Sequence, residues 1–340
     1  MHCSPELSRG RRPRGCPVGR WFLALGACLL GWTAPEAPGQ PRLAIQALTN
    51  RETSLTLSVS NGPRHRVQAS SNLTAWENVV TLPPAASSLS HTDSATPFLP
   101  RRYYRAEEIS GTNFLTGDHL PTSDGDLVIR PLYHASLALS WNGRVIYVDP
   151  DDDPAFETRY ASLPKADLIL VTHDHGDHYS TNKLATLRST NGTLVVPHKV
   201  FNRADFTAFR PHAIPLAYGG TTTAQGIAIE AVAGYNSYHT FTNNNAYVVT
   251  LGGRRLLITG DSGNTPELRA LANIDVAFLC INIPFTMTIF DATNLVRAIQ
   301  PRIVYPYHYR DSGGSQTNAA AFKQILGLQP GIEVRLRNWY

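Results

Sequence analysis

Apolar and polar positions follow two different rhythms along the chain. Over 43–106 they alternate in short runs, at 43–48, 55–59 and 66–70, separated by Asn61-Gly62-Pro63, Ser71-Asn72 and Pro83-Pro84. A period of two with a turn every ~8–12 residues predicts an antiparallel β-sandwich. From Asp126 onward the runs become more continuously apolar. Strands are predicted over 128–129, 136–139, 145–148, 168–172, 193–196, 227–233, 246–251, 255–259, 276–281 and 303–305, and helices over 181–188, 266–271, 292–300 and 318–326. Strands interleaved with helices predict stacked sheets with helices outside. The stretch between the two rhythms is polar and punctuated by Gly and Pro, which reads as a linker. The expected organisation is a β-sandwich module over 40–108, a linker over 109–125 and a larger α/β body over 126–340.

The first 39 residues fit neither rhythm. Arg9, Arg11, Arg12, Arg14 and Arg20 precede the apolar run 21–30, and Ala34-Pro35-Glu36-Ala37-Pro38-Gly39 ends it. Basic, then apolar for ~7–15 residues, then small residues is the pattern of a secretory signal peptide. Small residues at Ala37 and Gly39 place cleavage before Gln40. An uncleaved anchor and lipoprotein processing at Cys28 remain alternatives, although the run is shorter than the ~20 residues of a membrane span. An exported protein, periplasmic or secreted, is the expectation.

Charge follows the same division. The 340 residues carry a formal charge of +4, and the leader's five Arg and two Glu account for +3 of it. The remainder, at +1, gives no electrostatic case for nucleic acid or for an anionic membrane. Charged residues are 16% of the chain, against roughly 25% in an average soluble protein, which excludes a charge-rich disordered chain and a coiled coil. Cys280 is the only cysteine beyond the leader, so it makes no intramolecular disulfide and reads as a small buried apolar residue.

Candidate chemistry gathers in the second body. Thr172-His173-Asp174-His175-Gly176-Asp177-His178 follows the apolar strand at 168–172. Imidazole nitrogen suits zinc, iron and manganese, and carboxylates add charge and harder oxygen ligands. Downstream, Thr259-Gly260-Asp261-Ser262-Gly263 follows a second apolar strand, and Pro306-Tyr307-His308 ends a third. Taken alone, the first reads as a turn or helix cap and the second as a capping or core histidine. Glycines around Asp261 allow tight turns about the carboxylate.

Together, the HxHxDH motif, the later Gly-Asp and the strand-terminal His resemble the metallo-β-lactamase superfamily over about 215 residues. Further stretches, including His134-Ala135-Ser136, Val148-Asp149-Pro150, Phe285-Thr286-Met287 and Pro306-Tyr307-His308, are similar to its UlaG-type branch of metal-dependent hydrolases. The resemblance implies an αββα sandwich, preceded here by the small all-β sandwich, with two divalent metals, zinc first and manganese or iron as alternatives. It implies that His173 and His175 bind one metal, that Asp177, His178 and His308 bind the other, and that Asp261 bridges them. It places the third ligand of the first metal at His239, with Asn236 as the alternative. Asp149 either hydrogen-bonds a ligand histidine or forms an Asp-Pro turn. His134 either touches substrate or holds a loop. His198 and His212 come too early and read as surface residues. Asp rather than Cys at position 261 resembles the lactonase, phosphodiesterase and thioester-hydrolase branches rather than true β-lactamases.

The expected activity is metal-dependent hydrolysis of an ester, lactone or phosphodiester in a small molecule, with Asp177 orienting the nucleophile as well as binding metal. A non-catalytic binding protein on this fold and a metal-based redox enzyme are the alternatives. Residues 68–76 and 98–106 resemble a fibronectin-like β-sandwich module of secreted bacterial proteins. Such a module allows a cell-surface or polymer contact, and Trp76 reads as part of its core. The segments 151–162, 240–245 and 282–290 are expected to rim the pocket, with Phe156, Tyr160, Phe241, Phe285 and Phe290 either lining it or packing.

Overall fold

The strand Ala166–Leu170 shows why the sheets stack. Leu168 and Leu170 face one apolar core, while Ile169, together with Val171 beyond the strand end, faces another. A strand buried on both faces reads as a continuous apolar run rather than an alternating one. The same division repeats in Arg254–Ile258, where Leu256 and Ile258 face the first core and Leu257 a third. The protein is described by a computed structural model covering residues 21–24 (backbone alone), 41–59, 62–85, 87–110, 115–310, 314–327 and 331–340.

Two sheets form the layers. The larger has eleven strands, and its half nearest the site runs Gly125–Tyr133, Ser136–Trp141, Arg144–Val148, Ala166–Leu170, Arg188–Val196, Ala213–Pro215. The second has seven, in the order Thr221–Ala224, Ile227–Ala233, Asn245–Leu251, Arg254–Ile258, Val276–Cys280, Ile303–Tyr307, Glu333–Val334. Each begins antiparallel and turns parallel, at Arg144–Val148 with Ala166–Leu170 and at Arg254–Ile258 with Val276–Cys280. Helix Thr181–Leu187 covers the outside of one sheet through Leu184 and Leu187. Helices Ile289–Ile299 and Ala319–Leu326 cover the other through Leu295, Val296, Ile299, Phe322 and Leu326. This is the αββα sandwich. Cys280 is free and fully buried in the core between the sheets. Among the described residues, no helix is long and apolar enough to cross a membrane.

The first rhythm forms a three-stranded sheet of Arg42–Ala47, Thr53–Ser58 and Leu89–Asp93. Its Leu43, Leu55 and Leu57 pack on Val67, Ala69, Val80 and Tyr104 of the large sheet. Two expectations need correction here. The segment 109–125 is not a plain linker. It contains strand Gly117–Thr122, which pairs with Glu77–Leu82 on one side and Gly125–Tyr133 on the other, so one sheet runs unbroken from the N-terminal strands into the sandwich. Trp76 is not core either. It lies half-buried under the Arg105 guanidinium, 4.2 Å from its ring centroid, while Tyr104 fills the interior. Of the leader reading, all but 21–24 lies outside the described residues. Those four pair antiparallel with Tyr103–Ile109.

The polarity that made 109–125 look like a linker has a structural use. Asp118 is buried and accepts from Tyr305 Oη at 2.7 Å and from Arg337 Nε at 2.8 Å, with Arg335 at 3.6 Å. Burial alone raises a carboxyl pKa, but Arg337 and Arg335 hold Asp118 well below the usual range. His91, from the three-stranded sheet, lies 3.9 Å away. It makes no ion pair, because burial and then Arg337 outweigh Asp118 and lower its pKa to about 3. One carboxylate thus ties the larger sheet to the second sheet and to the C-terminal segment.

Asp118→Ala is expected to lower unfolding free energy by about 3 kcal/mol, since it takes the carboxylate from the largely buried Arg337 guanidinium and leaves Arg335 its pair with Glu333 alone; chemical denaturation measures this. His91 titrates at 6.5 when exposed and at about 3 when folded. Between those values the unfolded state binds the extra proton, so stability falls as pH drops, by at most about 1.4 kcal/mol per pH unit. His91→Gln should flatten that slope in denaturation curves between pH 6.5 and 4.5.

Candidate metal centre

Every polar residue of the site follows the carboxyl end of a strand. His134 follows Gly125–Tyr133, Asp149 follows Arg144–Val148, and the His173–His178 turn follows Ala166–Leu170. From the other sheet come His239 after Ile227–Ala233, Asp261 after Arg254–Ile258, Asn282 after Val276–Cys280 and His308 after Ile303–Tyr307. Open α/β sheets collect their ligands at such strand ends, where the chain leaves the ladder and its side chains are free to converge. The backbone is bent hard to do this. His134, Asp149 and His308 have φ of 54°, 43° and 47°, a left-handed conformation costing roughly 1 kcal/mol or more per non-glycine residue. Gly260, at φ 53°, has no alternative: a Cβ there would sit 2.8 Å from Thr172 Cβ.

His173, His175 and His239 form one group, with ring centroids 4.6 to 4.8 Å apart. His239 Nε2 lies 3.1 Å from His175 Nδ1 and 3.6 Å from Asp261 Oδ2. Asn236 points its side chain elsewhere, yet it is tied to the same group. Its Oδ1 accepts from the His239 and Tyr238 backbone N–H groups and lies 3.1 Å from His239 Nδ1, while its Nδ2 donates to Asp261 O and Phe285 O. That contact puts the His239 proton on Nδ1 and leaves Nε2 bare toward the group.

Asp177, His178, Asp261 and His308 form the second group. His178 Nε2 lies 3.2 Å and His308 Nε2 3.4 Å from Asp261 Oδ1, and His308 Nε2 lies 3.3 Å from Asp177 Oδ2. Asp261 therefore turns Oδ2 toward one group and Oδ1 toward the other. Behind them, the fully buried Asp149 accepts from Thr172 N and Thr172 Oγ1, each at 2.7 Å, and meets His178 Nδ1 at 2.8 Å. Thr172 Oγ1 in turn meets His173 Nδ1 at 3.0 Å, so one carboxylate orients both rings. His134 Nε2 reaches Asp177 Oδ2 at 3.1 Å and its Nδ1 reaches Tyr340 Oη at 3.0 Å. Asn282 Nδ2 lies 3.2 Å from His308 Nδ1. Asp174, the remaining acid of the motif, leaves the site for Lys199 and Arg203. His198 and His212 are exposed surface residues.

The electrostatics are those of a site built around positive charge. Burial and then His178 drive His173 well below the ordinary imidazole range, and burial lowers His239 and His134 to about 4. His178 is the exception. Burial works against its charge, but Asp261, Asp177 and Asp149 raise its pKa well above the ordinary value. Burial also opposes ionisation of Asp177, yet His178, His134 and His308 keep it a carboxylate. The buried His173 Nε2, His178 Nε2, His308 Nε2 and Asp261 Oδ1 have no aligned hydrogen-bond partner. An orphaned buried polar atom costs about 1–3 kcal/mol. Four of them aimed into one space fit divalent cations, and mixed nitrogen and oxygen donors suit zinc, manganese or iron.

A cavity of about 940 Å³ opens onto both groups. Of the aromatics expected on its rim, Phe156 and Phe285 line it. Tyr160 belongs to the outer core and Phe241 packs on Tyr218 and Tyr235. Phe290, 71% exposed, opens helix Ile289–Ile299 instead of the loop assigned to it. The cavity also takes in Tyr133, Tyr238, Arg310 and Tyr340. Nothing in the local sequence marks Tyr340, which lies 206 residues from the His134 it contacts. The sequence offers Asn236 only as an alternative ligand; its holding role exists only in the folded turn.

The β-lactamase superfamily domain matches this chain over residues 129–308. A metal-dependent hydrolase of the UPF0173 group from Thermococcus kodakarensis is 30% identical over 226 residues, 61% of this chain and 99% of that protein. Its counterpart from Thermus thermophilus is 29% identical over 61% of this chain and 98% of its own length. A crystal structure from Parabacteroides distasonis, named as a metal-dependent hydrolase, superposes with a TM-score of 0.57 at 34% identity, covering 66% of this chain and 99% of that one.

Asp149→Ala and Asn236→Ala are each expected to weaken divalent-metal affinity by about 10–100-fold, the usual loss when a group that orients a ligand is removed. Competition with a chromophoric chelator measures it, with circular dichroism checking the fold. An unchanged affinity in both variants would detach these residues from the site.

Proposed function

The chain belongs to the metallo-β-lactamase superfamily and is a metal-dependent hydrolase, and from that premise we propose that it holds two divalent cations, zinc in our reading, and hydrolyses an ester, lactone or phosphodiester in a small molecule. The observation that carries the reading is Asp261, whose two oxygens each face a separate group of imidazoles. His173, His175 and His239 would hold one cation, Asp177, His178 and His308 the other, and Asp261 would bridge them. When bound, such a pair lowers the pKa of water toward neutrality and stabilises the oxyanion that develops at the scissile group.

The chain's own residues do the rest. Asp177, partly exposed to the cavity, presents its free carboxylate edge to the attacking water and orients it. His134 Nε2 holds Asp177 Oδ2, and Tyr340 fixes the His134 ring, so the carboxylate has little freedom to turn. Asp149 holds the His178 Nδ1 proton, so that with a cation in place of the second proton Nε2 would be available as a donor of electrons. The Tyr133–Phe156 stack, with ring centroids 3.7 Å apart, and the Tyr238–Phe285 pair form apolar flanks that exclude water from a bound substrate.

We further propose export. Its support is the basic-then-apolar composition of 1–39 and the small residues before Gln40. Intact mass of protein recovered from outside the cytoplasm should place its first residue at Gln40.

Chelator-treated protein should lose turnover of a lactone panel and of bis(p-nitrophenyl) phosphate, and zinc, manganese or iron should restore it. His175 is exposed, so His175→Ala should leave the folding transition within about 0.5 kcal/mol while abolishing turnover. No bound metal and no turnover after reconstitution would sink the proposal.

A further inference from the structure

We propose that Arg310 is the specificity-determining residue of the cavity, and that the substrate carries a second oxyanion, carboxylate or phosphate, remote from the scissile bond. The inference rests on the hydrolase reading above for the scissile end only.

Arg310 stands two residues beyond His308 and lines the same cavity. Its backbone N–H donates to Tyr340 Oη at 3.1 Å, and its guanidinium carbon lies 5.6 Å from the Tyr340 ring centroid. The ring contact holds the guanidinium without using its N–H donors. Among the described residues, no carboxylate forms an ion pair with it. The cavity's other acids are engaged elsewhere. Asp153 Oδ1 accepts from Ala155 N and its carboxylate also meets the Tyr133 hydroxyl, while Asp151 Oδ1 accepts from Asp153 N. The neighbouring Arg159, by contrast, donates to Leu132 O and Asn338 O.

Charge counting points the same way. Four carboxylates line the cavity, those of Asp151, Asp153, Asp177 and Asp261, and Arg310 is the one Lys or Arg among its described lining residues. Two divalent cations would offset these four negative charges, Asp149 being taken up behind the ligands by Thr172 and His178, and leave Arg310 without a counter-charge among the described lining residues. A planar guanidinium with free donors matches a carboxylate or phosphate two oxygens at a time. Tyr133, Phe156 and Tyr340 line the same cavity as this charge and the metal groups, with Tyr340 edge-on to Tyr133 at 5.6 Å. The ligand this describes has an apolar or aromatic middle, a scissile group at one end and an oxyanion at the other.

The test uses rigid probes on zinc-loaded protein. Isothermal titration compares benzoate, which has one carboxylate, with terephthalate, which has two on opposite ends of a ring, and with 4-phosphonobenzoate. The wild type is expected to bind at least one two-headed probe about tenfold more tightly than benzoate. That advantage should vanish in Arg310→Ala and partly return in Arg310→Lys, at equal zinc content and unchanged melting temperature. Whichever two-headed probe gains more identifies carboxylate or phosphate as the group read. An equal ratio in wild type and Arg310→Ala, or no advantage in the wild type, overturns the proposal. An Arg310-dependent advantage in a protein that hydrolyses nothing would sink the hydrolytic reading and leave this one standing.

Discussion

Asp149 is a carboxylate with no exposure to solvent and, among the described residues, no Lys or Arg side chain paired with it. Its oxygens are taken by the Thr172 backbone, the Thr172 hydroxyl and the His178 ring. Burying a charge in this way is costly unless each lone pair is met, so the strand end at Thr172 has little choice of conformation. The rest of the site inherits that constraint. His173 is oriented through the same hydroxyl, His178 directly, and the turn between them delivers His175 and Asp177 toward the cavity. The energy that fixes the histidines is therefore supplied one layer behind them, in residues that never face the cavity.

The site is also divided between two sheets. His134, Asp149 and the His173–His178 turn belong to the larger sheet, whereas His239, Asp261, Asn282 and His308 belong to the smaller. Neither half alone makes a chelating group. The two come together only because Leu168, Leu170, Ile258, Phe278 and Tyr305 pack into one core between the sheets. On the strand next to the one that ends in His134, Asp118 joins Tyr305 and Arg337 across the same interface. The N-terminal strands are thus bound into the sandwich as part of its sheet and do not hang from it by a tether.

Much of this is legible in the sequence for a simple reason. A strand buried on both faces must be apolar throughout, and a ligand at its end must be polar, so the change from one to the other is abrupt. Asp167 to His178, Leu257 to Asp261 and Ile303 to His308 all show that break. The failures are equally instructive. The stretch 109–125 looks like a linker because Asp118 and His119 are polar. Both are buried, Asp118 against arginines more than 200 residues away and His119 against Thr81 and Asp126. Trp76 looks like core by residue type, yet the interior beneath it is already filled by Tyr104. Phe290 leaves the expected rim because the helix starts at Ile289, ahead of the predicted 292, at a Thr288 cap whose hydroxyl accepts from Asp291 N.

By itself, then, the sequence determines the strands of the sandwich that carry the ligands, the helices that cover them and the chemical type of each ligand, since burial and donor chemistry act through residue identity at short range. The tertiary structure alone decides which ligands meet and what holds them. It places His239 in the imidazole group and Asn236 behind it. It brings Tyr340 to His134, and it leaves Arg310 in the cavity lining with no carboxylate partner among the described residues. Those outcomes depend on distances between residues far apart in the chain, which are set by the packing of two sheets and carry no local signature.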